Sequence, residues 1–164
     1  MKTIVKRNDK VAFFGVVSDE NVTFHRMTGF TDLSTSKNPA EYSRQYVDES
    51  FETTDVIGYS PSMSYNFDQF TENPVHEDIV SISDNEMIGE AAVRSILVVD
   101  FTKEGTAEGT FKARKRDFAV IPDSEGDGTE AFTYSGTFKV KGETVVGTAT
   151  STDGWQTCTF TEDE

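Results

Sequence analysis

The chain has 164 residues, enough for one ordinary domain that buries roughly 70% of the surface its unfolded form exposes, so a sizeable core requires neither disulfide nor metal. Fifteen basic against 29 acidic side chains give a formal net charge of −14, which repels phosphate backbones and anionic lipid and argues against stable nucleic-acid binding. No apolar run approaches the roughly 20 residues of a membrane span, the lone Cys158 cannot form an intramolecular disulfide, and residues 1–19 carry no signal-peptide pattern, so the expectation is a soluble protein made in a reducing cytoplasm.

Thirteen Phe and 5 Tyr, set in segments that alternate apolar with polar residues, point to a β-rich domain. Residues 2–10 read as a charged, mobile arm, and Val11 to Val17 as a short strand apolar on both faces. Val22, Phe24 and Met27 suggest a second strand. Over residues 30–52 periodicity fails, giving a long loop in which Tyr42, Tyr46, Val47 and Phe51 are interspersed with Arg44, Asp48 and Glu49. Those apolar groups need somewhere to bury, either on a partner or over their own domain. Tyr59, Pro61, Met63, Tyr65 and Phe67 then fall on one face of a strand, with Pro61 indicating an edge or a bulge.

Asn73 and Pro74 are suited to the N-cap and first position of a helix over about residues 74–86, with Glu77 and Asp78 near its positive end. Val75, Ile79 and Ile82 form its apolar stripe, His76, Glu77, Ser81 and Asp84 can face water, and Asn85 or Gly89 ends it. Strands are expected at 93–101 and at 107–121, the latter interrupted by Arg114, Lys115 and Arg116, with an acidic turn at 122–128. Phe132, Tyr134, Gly136, Phe138 and Val140 alternate cleanly with polar residues. A turn at Gly142 and Glu143, a strand at 145–150 and a tight Asp153-Gly154 hairpin into a last strand at 155–161 complete a predicted meander of sequential hairpins.

Few constellations carry chemistry. The turn from Asp123 to Gly128 opens like a calcium loop, but Tyr134 stands where the bidentate glutamate belongs, which favours a polar turn. His25 and His76 lack a Cys or His at ligand spacing and read as surface residues, and Cys158 reads as a small core hydrophobe. Carboxylate pairs are so abundant that they do not mark a catalytic site. Lys112, Arg114, Lys115 and Arg116 form one basic cluster, too short for a nucleic-acid footprint and suited to acidic groups within the fold or on a neighbour. No catalytic, cofactor or metal site is expected, and the chain reads as a non-enzyme.

The segment FTDLSTSKNPAEYSRQYVDESFETTDVIGYSPSMSYNFD, followed in order by VHEDIVSISDNE, VRSILVVDF, RDFAVIPDSEGDG and FTYSGTFKVKGETVVGTAT, resembles the tail tube proteins (major tail proteins) of phages of Gram-positive bacteria. The resemblance spans nearly the whole chain after the N-terminal arm and holds no single diagnostic motif. It implies one tail-tube domain: a mainly β sandwich or barrel-like pair of antiparallel sheets, one flanking helix at about residues 74–86 and a long loop at about 30–52. It also implies a virion structural subunit that self-assembles into stacked hexameric rings, through which DNA passes during ejection without stable binding. Implied partners are further copies, the tape measure and the tail terminator, with no cofactor and no membrane, in a virion tail made in the host cytoplasm. The loop and the N-terminal arm (residues 1–10) would then serve assembly, with Lys37, Asn38, Glu41, Tyr42, Arg44 and Tyr46 of the loop at the oligomer interface. A monomeric β-sandwich module binding carbohydrate or a surface protein through exposed Trp155 and Tyr59 is the alternative, and a calcium-stabilised domain a third reading.

Overall fold

In the computed structural model, which describes residues 1–164, strand β1 (Lys10–Ser18) has a core on each side. Phe13 points into one cluster with Val11, and Phe14 into another with Ala12, which is why the run is apolar at every position. Asp19 and Glu20, both at positive φ (47° and 71°), form the two-residue turn into β2 (Asn21–Arg26). Short β3 (Phe30–Asp32) and β4 (Thr35–Ser36) follow, then β5 (Pro39–Arg44), β6 (Thr53–Tyr59) and β7 (Ser62–Asp68). The helix α1 (Pro74–Asp84) precedes β8 (Val93–Glu104), β9 (Phe111–Glu125), β10 (Thr133–Val140), β11 (Val145–Thr150) and β12 (Thr157–Glu162). The fold is mainly β, built from antiparallel pairs with one α-helix, as expected.

Strand β9 organises the molecule. Its first five residues, Phe111 to Lys115, pair with β11, and β11, β12, β2, β1 and β8 lead back to β9, closing a small six-stranded barrel. Its second half, from Phe118 onward, pairs with β10, which continues to β7 and the short β3 and β4. The barrel interior holds Phe13, Phe24, Leu97, Val99, Ala113, Ala149 and Cys158. The larger core lies between this extended sheet and α1 and contains Phe14, Tyr65, Phe67, Val75, Ile79, Ile82, Ile96, Phe118 and Phe138.

Several expectations need correction. No β10–β11 hairpin forms at Gly142 and Glu143: the two strands run in the same direction, end to end along one edge of the 15-residue β9. At the break Lys141 donates its backbone N–H to Asp117 O (2.9 Å) and Arg116 Nε donates to Gly142 O (2.7 Å), holding the chain where sheet and barrel diverge. Residues 107–110 are turn, and Pro122 to Glu125 extend β9 rather than turning, because the register shift opposite Ser135 and Gly136 accommodates them. The expected strand from Tyr59 to Phe67 is two strands, broken at Ser60 and buried Pro61. Trp155 and Gln156 belong to the loop before β12, which is organised by Asp153: its carboxylate accepts from Ser151 Oγ, Gln156 N, Thr157 N and Thr157 Oγ1.

Helix α1 starts where its cap chemistry dictates, Asn73 Oδ1 accepting from Val75 N (3.1 Å) and His76 N (3.2 Å), and it ends at Asn85. His76 does not face water. It is fully buried against Phe67, with ring centroids 4.4 Å apart, because it satisfies two backbone groups no helix can reach: Nδ1 accepts from Phe70 N (3.1 Å) and Nε2 donates to Thr28 O (2.7 Å). His25 is half-buried on β2.

Candidate assembly surface

Residues 30–52 are not an irregular loop. Their first part, β3 and β4, lines the edge of β7, and the remainder joins β6 to make a two-stranded arm separate from the main sheet. At the arm's root Ser60 N donates to Asn38 O (3.3 Å), while Asn38 Nδ2 donates to Ser60 O (3.0 Å) and Ser62 Oγ (3.2 Å). Asn38 takes a positive φ of 47°, which asparagine tolerates better than most residues. From there the paired strands span about 20 Å at the usual rise of a strand. All six residues of β5 and five of seven in β6 are exposed.

The arm has a side-chain order of its own. On one face Arg44 lies over two rings, its guanidinium carbon 4.2 Å from the Tyr42 centroid and 5.4 Å from that of Tyr46, with Asp55 opposite Tyr42. Glu41 and Ser43 occupy the other face, opposite Val56 and Thr54, and the Ser43 and Thr54 hydroxyls hydrogen-bond at 2.8 Å. The tip is pinned by Glu49 N donating to Tyr46 O (3.0 Å) and Gln45 Nε2 donating to Glu49 O (2.9 Å). Of the residues expected at an interface, Tyr42, Arg44 and Tyr46 are thus gathered in one cluster, Glu41 faces away from it, Lys37 is exposed just before β5, and Asn38 ties the root.

Sequence reasoning missed β6. Tyr42, Tyr46, Val47 and Phe51 are exposed as a group, and Val56, Ile57 and Tyr59 add three more large apolar side chains, each over half exposed. The run TTDVIGY carries strand propensity that could have revealed it. A two-stranded hairpin is at best marginal alone in water. One that stands off its own fold with both edges unpaired and seven exposed apolar side chains has the character of a docking element.

Elsewhere the surface offers less. Trp155, expected among exposed aromatics, is half-buried at the barrel mouth, edge-on to Phe101 (5.0 Å), Phe111 (5.6 Å) and Phe13 (6.2 Å). Cys158 lies inside the barrel, where burial pushes its thiol up to about 12. Asp123 and Glu125 are strand residues, and Ser124 Oγ donates to Asp127 Oδ2 (2.9 Å). No group of three or more His, Cys, Asp or Glu side chains is arranged to hold a metal ion, and no helix is long and apolar enough to cross a membrane.

No protein-family model matches the sequence, and no curated protein matches it. Among solved structures the chain is similar to one from the cryo-EM structure of the anti-feeding prophage baseplate, six-fold symmetrised, at 8% identity over 89% of this chain and 97% of that one, with a TM-score of 0.48, a level at which the likeness carries no argument about function.

Proposed function

We propose that this chain is a non-enzymatic structural subunit of a phage tail tube, closing into hexameric rings that stack to form a conduit for DNA. The arm is the observation that carries the reading: an ordered hairpin with exposed aromatics and free edges has no stabilising role within its own subunit, whereas a neighbouring copy would bury both its apolar side chains and its edges. The sequence resemblance to tail tube proteins supplies the identity of that neighbour. Strong acidity is compatible with the role, since a wall of like charge lets a phosphate backbone slide past without adhering.

The test is electron microscopy and sedimentation of the concentrated full chain beside a variant in which residues 39–59 are replaced by a short Gly-Ser link between Asn38 and Ser60, already hydrogen-bonded neighbours. Wild type should form rings or tubes, and the armless variant should remain a folded monomer. A wild-type chain that stays monomeric at high concentration, even beside tail-assembly partners, overturns the proposal. Glycan binding by that monomer would favour the binding-module alternative.

A further inference from the structure

In a chain with a net charge of −14, basic side chains are not spread evenly. Three concavities of about 360, 400 and 450 Å³ adjoin one another, the first and second sharing Arg7, Ala12 and Leu33 and the first and third sharing Lys10 and Val98, and make a groove that runs from residues 30–35 past β1 onto the outer face of β8, β9 and β11. Six of the 15 basic residues line it: Lys6, Arg7, Lys10, Lys103, Lys112 and Arg114. Two carboxylates line it, Asp32 and Asp100, the latter 3.9 Å from Lys10 Nζ, and a third, Asp163, lies 3.8 Å from Lys112 Nζ, which leaves Lys103 and Arg114 without an ion-pair partner in their own chain. The cations converge because β1, β8 and β9 are neighbours in the barrel, with Lys10 opposite Asp100, Asp100 opposite Lys112 and Val98 opposite Arg114. Between them the floor is apolar, made by Leu33, Met63, Val98 and Val146.

The arm is complementary to this groove. From Pro39 to Tyr59 it carries one cation, Arg44, against five carboxylates: Glu41, Asp48, Glu49, Glu52 and Asp55. Three of the five are at its tip, beside exposed Tyr46, Val47 and Phe51. One of them, Glu49, has a carboxylate oxygen shielded from water that finds no donor in its own chain, the kind of group that is costly unless a cation or donor is brought to it.

We propose that the acidic, aromatic tip of the arm docks in the basic groove of a second copy, with Asp48, Glu49 and Glu52 meeting Lys10, Lys103 and Arg114 and the apolar tip residues covering the groove floor. This rests on the self-assembly proposed above and names the surface on which it closes. Opposite charge sets the register of such a contact, and burial of the rings supplies its affinity.

Charge exchange tests it. In the full chain, Lys10→Glu, Lys103→Glu and Arg114→Glu together form a groove variant, all at exposed positions; Asp48→Lys, Glu49→Lys and Glu52→Lys form an arm variant. Each should raise the concentration needed for assembly about tenfold or more while the subunit stays folded by circular dichroism. The chain carrying both sets should recover most of the loss. Carbodiimide coupling of wild-type assemblies made from mixed isotopically light and heavy subunits provides a readout free of any variant, expected to join groove lysines to tip carboxylates between copies. If wild type assembles but the groove variant assembles equally well, or the double set is no better than either, or the cross-links stay within one copy, the docking proposal is overturned while self-assembly stands. If wild type does not assemble, the self-assembly reading fails first. Duplex DNA retained by wild type and released by the groove variant would overturn the proposal in favour of a nucleic-acid ligand.

Discussion

At the residue scale His76 is the clearest case of a polar group kept inside for a structural purpose. It joins the start of α1 to the segments around Thr28 and Phe70, and the bonds it makes require a neutral ring with its proton on Nε2. Burial lowers its pKa below the ordinary 6.5. The folded state therefore binds that proton less readily than the unfolded state, and the stability present above pH 6.5 is lost as pH falls through 6.5 toward the folded pKa. The loss is at most about 1.4 kcal/mol per pH unit. His25 is shifted in the same direction by its own burial, so the wild-type curve alone does not isolate the effect. Thermal melts between about pH 7.5 and 5.5 should show wild type losing more stability than a His76→Gln variant, the difference belonging to His76. Equal losses in the two proteins would assign no such role to the ring.

At the scale of elements, α1 is pinned as well as packed. Arg94 of β8 grips Asp78 with two nitrogens, Nε to Oδ2 at 2.7 Å and a terminal nitrogen to Oδ1 at 3.1 Å, both side chains being mostly buried. Asp78→Ala should cost about 1.5–3 kcal/mol in denaturant unfolding, since a charged, two-pronged contact is lost and the guanidinium is left partly stranded. A change near zero would mean the helix is held by Val75, Ile79 and Ile82 alone. The helix was also the element most legible in the sequence: cap, first-turn proline and apolar spacing are all local signals and agree over residues 74–84. β7 and β10 were legible for the same reason, each alternating cleanly through its length. What could not be read was pairing at a distance. Nothing in Val145 to Thr150 says that it lies on β9 rather than against β10, because a strand's own alternation is the same in either register. Of the arm, Tyr42 and Tyr46 were legible as apolar groups outside any strand pattern, and the structure leaves both exposed, but its second strand was not legible, because Tyr59 fits the alternation of the strand that follows equally well.

At the scale of the whole molecule, the barrel and the sheet beneath α1 have distinct cores on shared strands. Phe13 and Phe14 are adjacent in sequence, yet one fills the barrel and the other the space beneath α1. Neither core can come apart without moving β1, β8 and β9, so unfolding should be a single transition. Phe13→Ala and Phe14→Ala should each cost about 3–5 kcal/mol and shift the same midpoint by every probe; two separated transitions in either variant would mean that the halves fold independently. Enclosing Cys158 in the barrel has a practical consequence as well. With the only thiol buried and held almost wholly protonated at neutral pH, the outer surface is silent toward maleimides. A cysteine placed at the fully exposed Val47 would be the one site to take a fluorophore, so the environment of the arm tip could be followed in real time on an otherwise unlabelled protein.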